Sequence, residues 1–446
     1  MPFRKLAGKG NAEGRPGLCA VALALREGLL TARAYCESCL ERIRSSDEEI
    51  MAWVALDEAR ALALADARDA ARASGREAGA LHGVPVGVKD IFDTDDLPTE
   101  MGSPAFLGHR PVRNAALVEK LLAAGAYVLG KTATTELAFM HPAKTRNPWN
   151  AGHTPGGSSS GSAAAVAAGH VPAAIGTQTN GSVIRPAAFC GVVGFKPGFG
   201  VLNLGGALPF SPTLDQAGVF ARSVADAAWL FACLAEPGVI DTGIEMPARP
   251  PKIALLARFP WNAPEPDASA HLQMILKRLV GEGAAVKNIL LPAAFGDANL
   301  LHRTIMLYEG AREHAPLQAA HRSVISAALN SAIDAGLAIS HDDYRSAIAG
   351  RAALIELALD LFQGLDAVVS LPAPGAAPRR LDTTGDPSFC TLWSLTGFPA
   401  ITLPTGTSKG GLPYGMQIAG RVGADKQLLR VALWCESAIG FDLYPG

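Results

Sequence analysis

The chain has 446 residues, of which 49% are hydrophobic, and its 39 lysines and arginines nearly balance its 41 aspartates and glutamates. This balance argues against a polyanionic partner, so no nucleic-acid binding is predicted. The hydrophobic fraction is enough for one large core, which predicts a single domain over residues 18–446 after a loose, glycine-rich and basic tail over residues 1–17.

Cysteine usage and hydropathy indicate the compartment. The 7 cysteines are scattered and odd in number, which is typical of reduced thiols in a cytoplasmic enzyme. Cys36 and Cys39 have the spacing of half a zinc site, but no second pair of ligands lies nearby, so no metal site is predicted. The small apolar run 163–175 is interrupted by glycine and proline and is shorter than the ~20 residues of a membrane helix. With no secretion signal over residues 1–30, we predict a cytoplasmic protein without a membrane segment.

The first part of the chain alternates between helical and strand patterns. Thr31 is the predicted cap of a helix over residues 32–44. An alanine-rich helix is predicted over residues 57–73, and a further helix stops at Gly125. Short apolar stretches predict strands at residues 51–56, 84–89 and 127–129. Alternation of this kind indicates a layered α/β core.

Two small-residue loops follow in the middle of the chain. The first, residues 155–162, precedes an alanine run that predicts a helix over residues 163–168 with Ser162 or a neighbouring serine as its cap. The second, residues 177–185, follows an apolar piece, residues 171–175, that predicts a buried strand. Ser182 would then lie at a strand end, a suitable place for a nucleophile beside an oxyanion hole.

Taken alone, the first loop has other interpretations that do not involve hydrolysis. A Gly/Ser-rich octapeptide is more often a linker or a turn than a catalytic element. A phosphate-binding loop needs a lysine followed by serine or threonine after its second glycine, whereas Gly161 is followed by Ser162 and Ala163. Nucleotide binding is therefore not favoured.

The second half of the chain continues the α/β pattern. Residues 237–251 form a candidate linker, but the strands on its two sides are predicted to join the same sheet. A long helical region over residues 300–361 is predicted to break near residues 339–340. Helices are also predicted at 224–234, 267–280 and 426–438, and strands at 253–256, 367–371, 400–403 and 415–419.

Longer segments carry a specific resemblance. They are GVPVGVKD at 83–90, PGGSS at 155–159, GS at 181–182, FCGVVGFKP at 189–197, LDQ at 214–216, GFPA at 397–400 and GLPYGMQ at 411–417. Together they resemble the amidase signature family along most of the chain. The segments PTEMGS at 98–103, SVIRPAA at 182–188 and TGDP at 384–387 are most similar to the malonamidase group of that family.

The resemblance implies a layered α/β/α fold with a large mixed central sheet. It also implies hydrolysis of a small-molecule amide to a carboxylate and ammonia or an amine, through an acyl-enzyme and without a cofactor. Ser182 corresponds to the nucleophile, Ser158 to a bridging serine that follows a cis peptide from Gly157, and Lys89 to the lysine that hydrogen-bonds the bridge. Burial of Lys89 would favour the neutral amine that a base requires. The oligomeric state stays open, with a homodimer as one option.

Several assignments have alternatives. Lys131 also lies at a predicted strand end, although Lys89 has the matching sequence context and Asp90 would point to the opposite side of the strand. Ser159 or Ser160 could replace Ser158 only if the loop were shifted. A Ser-His-Asp triad could be assembled from many of the 10 histidines, but no G-x-S-x-G elbow supports it.

The loop around the nucleophile departs from the family pattern. Asn180 stands where a glycine is usual, and asparagine tolerates positive φ better than most residues. The backbone donors of Thr179, Asn180, Gly181 and Ser182 are predicted to form the oxyanion hole.

Arg185 follows the nucleophile one position later than in many members of the family. It is predicted either to bind a substrate carboxylate, such as that of a short dicarboxylic monoamide, or to form an ion pair with a buried Asp or Glu. Two other activities stay open: a carbamate- or ester-specific hydrolase, and the amide-transfer subunit of a tRNA-dependent amidotransferase.

Overall fold

An 11-stranded mixed β-sheet forms the centre of the molecule. The computed structural model describes residues 15–76, 79–240, 244–442 and 444–445. Within these ranges the strands are β1 (Trp53–Leu56), β2 (Pro85–Lys89), β3 (Tyr127–Thr132), β4 (Ala173–Gln178), β5 (Val193–Lys196), β6 (Gln216–Ala221), β7 (Lys252–Leu256), β8 (Ala285–Ile289), β9 (Ala367–Ser370), β10 (Ala400–Thr407) and β11 (Pro413–Ala419).

The spatial order of the strands is β1-β3-β2-β4-β6-β5-β10-β11-β9-β7-β8. Strand β2 runs parallel to both β3 and β4, and β7 runs parallel to both β8 and β9. The central strands from β4 to β9 pair antiparallel. Because β2 and β4 are parallel neighbours, their carboxyl ends meet at one edge of the sheet, where the candidate site lies.

Helices cover both faces of this sheet. They are α1 (Leu18–Glu27), α2 (Ala32–Ile50), α3 (Glu58–Ala73), α4 (Ala116–Ala123), α5 (Ser160–Ala167), α6 (Ile184–Cys190), α7 (Val224–Leu234), α8 (Pro266–Gly281), α9 (Ala298–His321), α10 (Ala327–Leu337), α11 (His341–Asp360), α12 (Thr391–Thr396) and α13 (Asp425–Ile439). Helices α5 and α6 pack on the central strands from one side, and α7 packs on them from the other. The predicted α/β/α layering with a large mixed sheet is confirmed.

Several elements lie where the sequence predicted them. The Thr31 hydroxyl accepts a hydrogen bond from Ala34 N–H and caps α2, which extends beyond the predicted end to Ile50. The strands on both sides of the predicted 237–251 linker belong to the same sheet, as expected. Most of the predicted tail, residues 1–14, lies outside the described residues.

The middle segment differs from its prediction. Strand β4 begins at Ala173 and continues to Gln178, so Ser182 lies in the turn before α6 rather than at the strand end. Helix α5 begins at Ser160, and a neighbouring serine, Ser159, occupies its N-cap position as expected, but without a side-chain capping hydrogen bond. Ser162 is an internal residue whose hydroxyl donates to the carbonyl of Ile175. These hydroxyls do not cap the helix because, in the folded protein, they donate hydrogen bonds to the neighbouring strand instead of accepting them at the helix terminus.

The long helical region breaks twice, between α9 and α10 and again before α11, whereas one break was predicted. The first break follows His321, and Ser326 then caps α10 by accepting from Leu329 N–H. Strands β5, β6 and β8 were not predicted. Their sequences are short, contain glycine or carry exposed polar residues, so their strand character depends on pairing with neighbours.

Candidate active site

Lys89 is the last residue of β2, and its side chain is completely buried. Its Nζ lies 2.8 Å from Ser158 Oγ and 2.9 Å from Thr177 Oγ1. Thr177 comes from β4, the parallel neighbour of β2, so the sheet itself brings these side chains together. Thr177 was not predicted; its signal was its place near the carboxyl end of the adjoining parallel strand.

Burial controls the charge of Lys89. Desolvation lowers its pKa to about 7, and the negative charge of Asp215 opposes this shift. A substantial fraction of the amine is therefore neutral near neutral pH, and a neutral amine can accept a proton. Lys89 thus has both the contact and the protonation state of a general base for Ser158.

Lys131, the alternative lysine, is in a different state. Its Nζ lies 3.2 Å from Asp90 Oδ1, and both side chains are buried. Burial lowers the pKa of Lys131, but Asp90 raises it. Lys131 is therefore one partner of a buried ion pair with Asp90.

Ser158 lies in the loop that precedes α5, directly after a cis peptide bond between Gly157 and Ser158. Its carbonyl accepts from Thr135 N–H at 3.2 Å. The neighbouring serines are engaged elsewhere: Ser159 Oγ donates to the carbonyl of Thr177, and Ser160 Oγ donates to the carbonyl of Gly156. Both have structural hydrogen bonds, so neither competes with Ser158 for Lys89.

The close approach of this loop to β4 depends on Gly176. A Cβ at that position would lie 2.6 Å from Ser159 Oγ, which is inside van der Waals contact. A larger residue would therefore push the loop, and with it Ser158, away from Lys89. This glycine is a packing requirement of the site.

Residues 179–182, which we call the oxyanion loop, contain Ser182. Gln178 holds the far end of the loop, because its Oε1 accepts from Val183 N–H at 2.8 Å and from Ile184 N–H at 3.0 Å. Among the described residues, no acceptor is found for the backbone N–H groups of the oxyanion loop. Unsatisfied N–H groups beside a serine are what a tetrahedral oxyanion requires.

Asn180 does not adopt the positive φ that a residue in a usual glycine position could require. Neither Asn180 nor Gly181 has a positive φ, so the glycine usual at position 180 is not needed for backbone reasons. The Asn180 side chain accepts from Thr391 Oγ1 at 3.0 Å, which ties it to α12. Asn180 also lines a cleft of about 800 Å³ together with His302 and Thr384.

Arg185 is buried beside the oxyanion loop, with 4% of its surface exposed. Its Nη2 donates to the carbonyl of Gly157 at 2.7 Å and to Thr384 Oγ1 at 3.1 Å. Its Nε and Nη1 are buried without hydrogen-bond partners. Burial lowers the pKa of Arg185 to about 10, so the group stays cationic. Across the described ranges no carboxylate is within ion-pair distance of it, so the buried ion pair considered from sequence is not seen.

A smaller cavity of about 220 Å³ borders the oxyanion loop at Thr179 and is also lined by Thr177 and Asp215. Thr179 Oγ1 donates to Asp215 Oδ1 at 2.6 Å. Burial raises the pKa of Asp215 to about 6, while hydrogen bonds from Thr179 and from the backbone N–H groups of Phe210 and Ser211 oppose the shift. Asp215 therefore orients Thr179, and its negative charge acts on Lys89.

One Ser-His-Asp arrangement does occur, at Ser46, His170 and Asp47. His170 Nε2 lies 2.8 Å from Ser46 Oγ. Its Nδ1 accepts from Trp53 Nε1 at 3.1 Å, so Nε2 carries the proton of the neutral ring. A protonated Nε2 cannot take a proton from Ser46, whose hydroxyl donates to the carbonyl of Arg42. The arrangement is structural and not a triad.

Within the described ranges, no cluster of histidine, cysteine and acidic side chains is suited to a metal ion. Cys36 and Cys39 are buried free thiols in α2, and burial raises the pKa of Cys39 to about 12. No helix in the described part of the chain is long and apolar enough to cross a bilayer.

The pH dependence of the reaction should follow Lys89. As pH rises through about 7, the amine becomes neutral, so we expect kcat/KM to rise through that range and then level off. Initial rates in buffers of constant ionic strength would measure this rising limb of the pH–rate profile, which we call the pH limb. A rate that falls as pH rises through neutrality would contradict a neutral lysine base.

The sequence of residues 34–429 matches the Amidase family. The chain is 33% identical to a glutamyl-tRNA(Gln) amidotransferase subunit from Chloroflexus aggregans, over 92% of this chain and 93% of that protein.

Solved structures agree with this assignment. A crystal structure of an amidase superposes with a TM-score of 0.87 at 32% identity, covering 95% of this chain and all (100%) of that one. The native peptide amidase from Stenotrophomonas maltophilia superposes with a TM-score of 0.82 at 30% identity, covering 98% of this chain and 99% of that one. The chain therefore belongs to the amidase family and is an amide-hydrolysing enzyme.

Proposed function

We propose that this enzyme hydrolyses a small-molecule amide through an acyl group on Ser182. The observation that carries the proposal is the completely buried Lys89 amine, 2.8 Å from Ser158 Oγ and adjacent to a loop of unsatisfied N–H donors. Lys89 accepts the Ser158 proton, and Ser158 in turn accepts the proton of Ser182 as Ser182 Oγ attacks the amide carbon.

The remaining steps use the same residues, and the proton taken up in the first step is returned to the leaving group. The oxyanion loop stabilises the negative oxygen of the tetrahedral intermediate. Ser158 then donates a proton to the departing nitrogen as the C–N bond breaks, so ammonia or an amine leaves and the acyl group stays on Ser182. Water, deprotonated by the same relay, attacks the ester and releases the carboxylate.

A substrate screen tests this proposal. Purified protein is incubated with malonamate, short aliphatic amides, aryl amides, carbamates and esters. Release of ammonia or an amine is measured for the amides and carbamates, and release of the alcohol is measured for the esters. Turnover of at least one amide by the chain alone supports the proposal. Turnover restricted to carbamates or esters would move the enzyme to the alternative substrate classes.

We propose further that Arg185 selects a substrate with a carboxylate close to the reacting amide. An unpaired buried cation is costly, and an anionic ligand would satisfy its Nε and Nη1 through charge-assisted hydrogen bonds. Nη1 also lies near the backbone of the oxyanion loop, since a Cβ on Gly181 would be 3.1 Å from it. The short separation favours a short dicarboxylic monoamide such as malonamate.

Arg185→Met is expected to raise KM for malonamate about 10- to 100-fold, the effect of losing a hydrogen bond to a charged group. The constants for a neutral amide such as propionamide should stay close to wild type, because methionine fills a similar volume. Steady-state kinetics on both substrates measure the contrast. Equal losses on the two substrates, or a wild type that prefers the neutral amide, would leave Arg185 a scaffold residue.

A second candidate is the amide-transfer component of a tRNA-dependent amidotransferase. The observation in its favour is the identity of 33% to a protein named as part of such an enzyme. The two candidate functions differ in whether the chain works alone, since a transfer component would require a partner protein. Multiple turnovers of a free amide by the single purified chain would exclude transfer as the sole role.

A further inference from the structure

Helix α9 reaches the oxyanion loop through His302, a buried side chain that sequence analysis did not single out. Its Nε2 lies 3.0 Å from the carbonyl oxygen of Thr179. A carbonyl oxygen only accepts, so Nε2 carries the proton. Building on the function proposed above, we infer that His302 is a positioning residue: it holds the Thr179 carbonyl so that the next N–H, that of Asn180, faces the oxyanion.

The argument follows from the planarity of the peptide bond. In a trans peptide the C=O and the following N–H point in opposite directions, and the peptide between Thr179 and Asn180 is not the cis bond of this chain. Anchoring the Thr179 oxygen toward α9 therefore fixes the direction of the Asn180 N–H. That N–H has no acceptor among the residues described, and Asn180 borders the cleft.

The next peptide is held in the same way from a different helix. The carbonyl of Asn180 accepts from the hydroxyl of Ser394 in α12. Gln178 Nε2 in turn donates to Ser394 Oγ at 3.0 Å, which fixes that hydroxyl. Successive peptides of the loop thus have their oxygens tied to α9 and α12, and their N–H groups are left for a ligand.

Preorganised donors are effective because they need no rearrangement when the oxyanion forms. His302 is 1% exposed, and a leucine would supply similar volume but no donor to Thr179. Without that donor the peptide can rotate, and the Asn180 N–H loses its direction. The substrate amide carries little negative charge before attack, so the loss should fall on kcat and not on KM.

The test compares His302→Leu with His302→Gln, whose amide nitrogen can replace Nε2 as the donor. We expect His302→Leu to lower kcat about 10- to 100-fold, with KM changed less than about 3-fold. His302→Gln should recover most of that loss. His271→Leu is the matched control. It removes one hydrogen bond of 3.0 Å, to Thr405 Oγ1 in β10, and a ring contact with Tyr414, both far along the chain from the loop, and should leave kcat unchanged.

Crystal structures of the same variants separate this inference from the function it builds on. Wild type without amide turnover would refute the proposed function, whereas a rotated Thr179–Asn180 peptide in His302→Leu, restored in His302→Gln, would still support the positioning role. An unrotated peptide in His302→Leu overturns the inference. So does a kcat loss that His302→Gln does not recover, or a shift of the pH limb near neutrality, because His302 would then act as a titrating base.

Discussion

Ser182→Ala is expected to abolish amide hydrolysis, with kcat lower by about 10⁴- to 10⁶-fold, because no acyl-enzyme can form without the Ser182 oxygen. The fold should be unchanged, since the substitution removes one oxygen atom and opens no apolar cavity. Ammonia release and thermal denaturation on the same preparation measure the two effects.

Two experiments make this prediction specific. Trapping the acyl group with hydroxylamine, or labelling with a fluorophosphonate followed by peptide mapping, should identify Ser182. Label on Ser158 would reverse the assigned roles. Ser46→Ala is the control, because Ser46 is the serine next to His170 and should be dispensable for turnover. Loss of activity in Ser46→Ala with an active Ser182→Ala would restore the Ser-His-Asp alternative.

The fold could be predicted from local patterns where those patterns were strong. Buried apolar strands such as β2 and alanine-rich helices such as α3 were found close to their true limits, and α/β layering followed from their alternation. Strand order could not be predicted from such patterns. The antiparallel pairing of β4 with β6 joins residues that are distant along the chain, and neither strand alternates in polarity.

The residues of the candidate site were also predicted only in part. Lys89, Ser158 and Ser182 were assigned by resemblance, because each lies in a distinctive segment. Thr177 and His302 were missed, since a threonine inside a strand and a histidine inside a helix are ordinary residues until tertiary structure brings them to the loop.

The state of Arg185 also required tertiary structure. Both of its alternatives were open from sequence because nothing local fixes the direction of a long side chain. Its unpaired nitrogens are visible only when every neighbouring element is in place. Burial and charge at a site are therefore properties of the assembled fold.

Lys89→Met is expected to lower kcat/KM by about 10³-fold or more, because Ser158 loses the base that accepts its proton. Methionine resembles lysine in length and suits a completely buried position. Thermal stability should therefore hold or increase, since the variant no longer buries an amine that is charged at low pH. The residual rate should also lack the limb near pH 7 that titration of Lys89 gives the wild type.

Lys131→Met is the matched comparison, because it makes the same substitution at the other buried lysine. It leaves the Asp90 carboxylate buried without its partner at 3.2 Å, and removing one member of a buried ion pair typically costs about 3–5 kcal/mol. We expect a lower melting temperature with the pH limb near neutrality retained in the folded fraction. The two substitutions should thus have different effects: Lys89→Met lowers the reaction rate, and Lys131→Met lowers the thermal stability. If Lys131→Met instead removed the pH limb while Lys89→Met kept it, the base would have to be reassigned to Lys131.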